Sequence, residues 1–314
     1  MDKIKVIFFG TPKIALSSFE TLIDDSAFDV LALVTQTPKP QGRGNKIIES
    51  ELSLAAKKNG IEVFETERIS KDSSLISKLK ELKPDFFVTF AFGQILSQAV
   101  LDIPKYCTVN IHPSLLPKYR GANPIRASLL SGDKKTGITT AKTVLALDEG
   151  DIILNEEFEL TPEMNYLELV DIIELKAPII LKKSLLGLYL GKIKPYPQGH
   201  NASYTKKTLK EDKILDFNSE AVEVHNKIRA LLGDFTCMTK YKGKILKVLK
   251  SREIPYEGKE EAGEIISVTK EGILTKCAKN AIMIEEVKPE GKKEMSAYSW
   301  SLGSKIQIGD SFET

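Results

Sequence analysis

Between residues 4 and 112 the chain alternates short apolar runs with amphipathic segments. Residues 4–10, 30–35 and 86–90 read as strands, and 15–22, 50–59 and 73–82 carry helical spacing, with Gly60 suited to follow a helix C-terminus. Strands alternating with helices predict a parallel, doubly wound α/β sheet of Rossmann-like type. The first turn, Gly10-Thr11-Pro12, is not Gly-x-Gly-x-x-Gly. The second strand ends Val34-Thr35-Gln36-Thr37, without the acid that would hold a ribose, so a nicotinamide dinucleotide is not expected.

Helical spacing returns at 166–190, with Asn165 and Glu168 as N-cap and N3 residues and Pro178 expected to kink or divide the helix. Residues 192–213 are rich in Lys, Pro, Gly and Ser, the texture of a linker. Beyond it, 219–232 reads as an amphipathic helix and 245–249, 263–269, 273–277 and 281–287 as short strands, with Lys270-Glu271-Gly272 as a hairpin signal. Such strands suggest a small OB-like β-barrel. The expected organisation is a Rossmann-like domain at 1–190, a linker at 191–206 and an OB-like domain at 207–314.

A formal charge of +2 on 314 residues excludes no class of partner. Locally, Lys240, Lys242, Lys244, Lys247, Lys250 and Arg252 follow one another with no acid between them, either a solvated strand face or a phosphate footprint. Three cysteines and three histidines, all scattered, show no metal-ligand spacing. No apolar run approaches the roughly 20 residues of a membrane span, and the sequence opens on a strand without a targeting signal. A cytoplasmic protein is expected, with no metal and no membrane.

The chemistry concentrates at Asn110-Ile111-His112. On a strand at 108–112, Asn110 and His112 share a face, and Pro113 ends the strand directly after them. Ligand crevices of open α/β sheets form at that C-terminal end. With Asp148, these residues supply an amide, an imidazole and a carboxylate, a set able to stabilise a tetrahedral oxyanion during acyl transfer.

Asn110-Ile111-His112, the run Ser114-Leu115-Leu116-Pro117-Lys118-Tyr119-Arg120-Gly121-Ala122-Asn123-Pro124 and Asp148-Glu149-Gly150 together resemble the folate-dependent formyltransferases. Phe9-Gly10-Thr11-Pro12, the loop 34–44, Ala91-Phe92-Gly93-Gln94-Ile95-Leu96, Ala202-Ser203-Tyr204-Thr205-Lys206-Lys207 and His225-Asn226-Lys227-Ile228-Arg229-Ala230-Leu231 are similar to the branch whose acceptor is methionyl-tRNA. There are departures: Ser97 stands where that branch carries proline, and Leu232-Gly233-Asp234-Phe235-Thr236 replaces a Pro-rich stretch.

The resemblance implies transfer of the formyl group of 10-formyltetrahydrofolate to the α-amine of initiator methionyl-tRNA, by a monomer. It implies Asn110 and His112 as oxyanion donors, with Asp148 raising the His112 pKa. Folate is expected against Phe92, Gly93, Gln94, Ile95, Leu96, Ser114, Leu115, Leu116 and Pro117, and tRNA at Lys39, Arg43, Lys46 and Lys207. The amino-sugar nucleotide formyltransferases are the alternative; they share the Asn, His and Asp but lack the Lys-Pro-x-Gly-Arg-Gly loop.

Overall fold

The structure, a computed structural model, describes residues 2–41 and 46–313, without the side chains of Gln41, Lys46 and Ile47. Two compact units emerge. The first takes in Met1–Pro124, Thr136–Phe158 and Val170–Tyr204, and the second Ile125–Lys135, Glu159–Leu169 and Thr205–Thr314.

In the first unit, β1 (Ile4–Gly10) and β2 (Phe28–Gln36) precede a two-residue ladder of β3 (Pro40–Gln41) with β4 (Lys46–Ile47). Then come β5 (Glu62–Thr66), β6 (Phe86–Phe90), β7 (Cys107–His112), the short β8 (Arg120–Gly121), β9 (Lys135–Lys142) and β10 (Ile152–Glu159). The main sheet has the order β10-β9-β7-β6-β1-β2-β5. Its pairs from β5 to β7 are parallel, and β9 runs antiparallel to β7. The order reverses beside β1, as in a doubly wound sheet.

Helices α1 (Leu16–Asp24), α2 (Glu51–Lys58), α3 (Ser73–Glu81), α4 (Gln98–Leu101) and α5 (Pro124–Leu130) follow the strands. All five residues of β6 are buried, which fits a strand covered on both faces. On one face Ile7, Phe9 and Phe87 join Leu75 and Leu79 of α3. On the other, Phe8 meets Phe19 of α1 at 5.3 Å between ring centroids.

The long α6 (Tyr166–Tyr189) opens on the expected cap: Asn165 Oδ1 accepts from the N–H groups of Leu167 and Glu168, and Glu168 Oε2 accepts from Asn165 N. It is not divided at Pro178 as the sequence predicted. Proline supplies no N–H to the carbonyl four residues back, that of Glu174. Ser17 Oγ of α1 donates to that carbonyl at 2.6 Å, so the orphaned acceptor is satisfied and the helix continues. The main-sheet strands β5, β9 and β10 escaped the sequence reading. The Thr136, Thr139 and Thr140 side chains of β9 are buried, which breaks the apolar alternation. After α6 the backbone does not leave the unit at once: Tyr196 pairs with Ile152, and β11 (Tyr204–Thr205) lies beside β8.

The second unit contains α7 (Ala221–Leu231), the antiparallel strands β12 (Met238–Tyr241), β13 (Lys244–Ile254), β14 (Ile265–Thr269), β15 (Gly272–Lys276) and β16 (Ala281–Pro289), then β17 (Met295–Ser296) and α8 (Ala297–Ser304). The sheet path is β12-β13-β16-β15-β14. Glu313 bridges to Lys240 of β12 and Ser311 to Glu264 just before β14, so the C-terminal segment joins the sheet's two edges in the manner of a small barrel. Val224, Ile228 and Leu231 of α7 pack into the same core as Val248, Ile284 and Trp300.

Two buried arginines tie the remaining segments of this unit to α7. Arg229 donates to the carbonyls of Leu129, Thr161 and Met164. Arg126 donates to Ala230 O at 2.6 Å and lies 3.6 Å from the Tyr166 ring centroid. Both cap helix C-terminal carbonyls, where a cation is favoured.

Candidate active site

Asn110 and His112 sit in the last three residues of β7, side by side on one face as strand alternation requires. Asp148 comes from the turn between β9 and β10 with φ +52°, a left-handed conformation that Asp tolerates better than most residues. Gly150 lets this turn close, since a Cβ there would lie 1.8 Å from Lys142 O. Gly121, at φ +99°, brings its N–H to Asp148 Oδ2 at 2.7 Å. Asn110 Nδ2 donates to Asp148 Oδ1 at 3.4 Å, and His112 Nδ1 lies 3.7 Å from Asp148 Oδ2. The amide, imidazole and carboxylate named from the sequence therefore converge.

Two further groups orient them. Thr89 of β6, the register neighbour of Asn110, donates its hydroxyl to Asn110 Oδ1 at 2.8 Å, which turns the amide nitrogen toward Asp148. His112 Nε2 lies 2.9 Å from Tyr119 O. A carbonyl only accepts, so Nε2 carries the hydrogen and the neutral ring presents the Nδ1 lone pair toward Asp148. Sequence reasoning missed both groups. Thr89 had a signal, as the one polar residue of the strand Phe-Phe-Val-Thr-Phe; a backbone carbonyl has none.

Burial is what sets the protonation of His112. It holds the imidazole pKa below its ordinary value, and the opposing pull of Asp148 and the Tyr119 carbonyl does not reverse this. Asp148 does pull the His112 pKa upward, as expected, but desolvation outweighs it and the net shift is downward.

The expected folate segments flank this end of the sheet. Phe92 and Leu96 turn into the core, whereas Ile95 is 76% exposed. Gly93 has φ +75°. Gln94 is already engaged, accepting from Ile69 N and donating to Thr66 O. In the second segment Ser114 Oγ donates to Lys118 O, Leu116 packs with Ala141 and Ile152, and Leu116 N donates to Thr139 Oγ1. Leu115 lies against Gly137 of β9, and Pro117 O accepts from Ser203 N. Val144, Leu145 and Leu147, just before Asp148, are exposed. Ile95 and these three are thus large apolar side chains left open to solvent.

Of the expected tRNA contacts, Lys39 and Lys207 are exposed, Lys46 pairs with Gln41 through its backbone, and Arg43 lies outside the described residues. The basic run of β12 and β13 is partly matched by acids: Lys242 with Asp310, and Lys250 and Arg252 with Glu285.

Residues 2–185 match the family "Formyl transferase", and residues 207–305 match "Formyl transferase, C-terminal domain". A methionyl-tRNA formyltransferase of Clostridium botulinum is 41% identical over 92% of this chain and 93% of its own length. One of Alkaliphilus oremlandii is 37% identical over 98% of this chain and 99% of its own. The chain belongs to the methionyl-tRNA formyltransferase family. Among solved structures, an N-formyltransferase from Helicobacter canadensis, in complex with folinic acid and dTDP-3-aminofucose, superposes with a TM-score of 0.67 at 19% identity, covering 90% of this chain and 98% of that one. A sugar 3N-formyl transferase gives the same TM-score at 20% identity, covering 93% of this chain and all of the other. These two share the fold of the methionyl-tRNA formyltransferase family.

Proposed function

We propose that this chain transfers the formyl group of 10-formyltetrahydrofolate to the α-amino group of initiator methionyl-tRNA. The observation that carries the chemistry is the pair His112 Nδ1 and Asp148 Oδ2, a lone pair and a carboxylate facing each other at 3.7 Å beside an oriented amide. Such a pair takes up one proton on the imidazole, where the facing carboxylate favours the charge. The likeness over nearly full length to methionyl-tRNA formyltransferases supports the acceptor.

Formyl transfer needs three services from the protein. The attacking amine must lose a proton, and neutral His112 with Asp148 receives it. The formyl oxygen gains charge as the carbon becomes tetrahedral, and an Asn110 Nδ2 hydrogen stabilises it. The nitrogen released from the donor must regain a proton, and the pair returns the one it took, so the protons balance. The folate supplies the activated formyl carbon, with Ile95, Val144, Leu145 and Leu147 as the apolar surface against which its ring would lie. Lys39, Arg43, Lys46 and Lys207 are the proposed tRNA phosphate contacts, acting in a protein proposed to be monomeric and cytoplasmic.

The acceptor is tested by supplying 10-formyltetrahydrofolate with either charged initiator methionyl-tRNA or a dTDP-amino sugar. Formylation of the tRNA with no turnover of the sugar supports the reading, and the reverse pattern refutes it.

A further inference from the structure

The segment after α6 carries a side chain that holds the site's two loops together. Gln198 Nε2 donates to Asp148 O at 2.7 Å and to Gly150 O at 2.8 Å. Its Oε1 accepts from Arg120 Nε at 3.1 Å and from a terminal Arg120 nitrogen at 2.8 Å. These partners leave one orientation for the amide: the oxygen toward the guanidinium, the nitrogen toward the two carbonyls. One loop so held carries Asp148. The other, residues 117–121, carries the Tyr119 carbonyl that fixes the His112 ring and the Gly121 N–H that fixes the Asp148 carboxylate.

The strap is anchored on both sides of Gln198. Tyr196 exchanges backbone hydrogen bonds with Ile152 at 2.8 and 2.9 Å. Ser203 O accepts from Arg120 N at 2.8 Å, and Ser203 Oγ accepts from Tyr119 N at 2.9 Å. Arg120 Nη1 donates to the Tyr204 hydroxyl at 2.9 Å, which donates in turn to Glu149 at 2.7 Å.

We infer that Gln198 is a positioning residue for formyl transfer, setting the distance between Asp148 and His112 from outside the site. It touches neither reacting atoms nor those two side chains; it acts on the backbone at Asp148 and, through Arg120, on the loop behind His112. This rests on the proposed formyl transfer at Asn110, His112 and Asp148. A displacement of about 1 Å in such a site is worth about 100-fold in rate.

Gln198→Glu and Gln198→Leu separate positioning from plain packing. Glutamate keeps, and strengthens, the partner of Arg120 but turns an oxygen toward the Asp148 and Gly150 carbonyls, driving the Asp148 loop off. Leucine removes both sets of bonds without that repulsion. The expected order of kcat is Gln, then Leu, then Glu, with Glu reduced about 10- to 100-fold and KM for 10-formyltetrahydrofolate little changed. The His112 imidazole resonances should move in both variants, a readout that needs no turnover. Glu at or above Leu in kcat would make the Arg120 contact the role of Gln198 and overturn the inference. So would wild-type kcat in both variants, or His112 resonances that stay in place. An inactive wild type with shifted resonances would instead refute the formyl-transfer reading and leave the positioning intact.

Discussion

His112 is buried and neutral, and its two nitrogens are distinguished by what they face: Nε2 a carbonyl, Nδ1 a carboxylate. Imidazole nitrogen NMR should therefore show the Nε2–H tautomer near neutral pH, with protonation only below the ordinary histidine value of 6.5. A ring that titrates above that value would remove His112 as the proton acceptor. Thr89 acts one step further out. Thr89→Val keeps the shape but removes the donor to Asn110 Oδ1, and should lower kcat by about 5-fold, since a net hydrogen bond is worth about 1 kcal/mol. Unchanged kcat would mean the amide holds its orientation without that hydroxyl. The shared face of Asn110 and His112 was legible from strand alternation alone. Asp148 was legible only through resemblance, because no periodic rule connects a turn residue to a strand 36 positions earlier. Gln198 was not legible at all; it lies in a stretch whose Pro, Gly and Lys content reads as linker.

At the scale of elements, α6 shows how a local rule is overridden. Pro178 should break a helix, and the sequence gives no hint that a serine more than 150 residues earlier will supply the missing donor. Ser17→Ala should cost about 1–2 kcal/mol, the penalty of an unsatisfied part-buried carbonyl. In a Pro178→Ala background the helix amide can serve Glu174 O itself, so the same change should cost much less. Equal costs in the two backgrounds, measured by urea denaturation, would show that Ser17 stabilises by other means. The parallel strands β1, β2, β6 and β7 were read to within a residue or two because their apolar runs are short and continuous, whereas β5, Glu-Val-Phe-Glu-Thr, has no such run and was missed. The antiparallel β9 was missed because its buried threonines are satisfied by partners far along the chain, Thr139 by Ser114 O and Thr140 by Ser184.

Each of the two units buries a histidine whose pKa is lowered chiefly by desolvation, His112 in the first and His225 in the second. Below pH 6.5 the unfolded chain binds protons at both rings before the folded one does. Stability is thus fully present above that pH and declines as pH falls from it toward the lowered folded values. The urea midpoint should fall on going from about pH 7 to about pH 5, and His225→Gln should flatten the dependence; a midpoint that rises with acid would contradict the burial of neutral rings. The account's central claim is that one site, Asn110 with His112 and Asp148, performs formyl transfer to methionyl-tRNA. Its most direct test is single-turnover formylation of charged initiator tRNA by the wild type, Asn110→Ala and His112→Ala, with 10-formyltetrahydrofolate binding measured on the same proteins. The account predicts an active wild type, a rate lower by about 100- to 1,000-fold in each variant, and folate affinity nearly unchanged. Rates within threefold of wild type in either variant would contradict it.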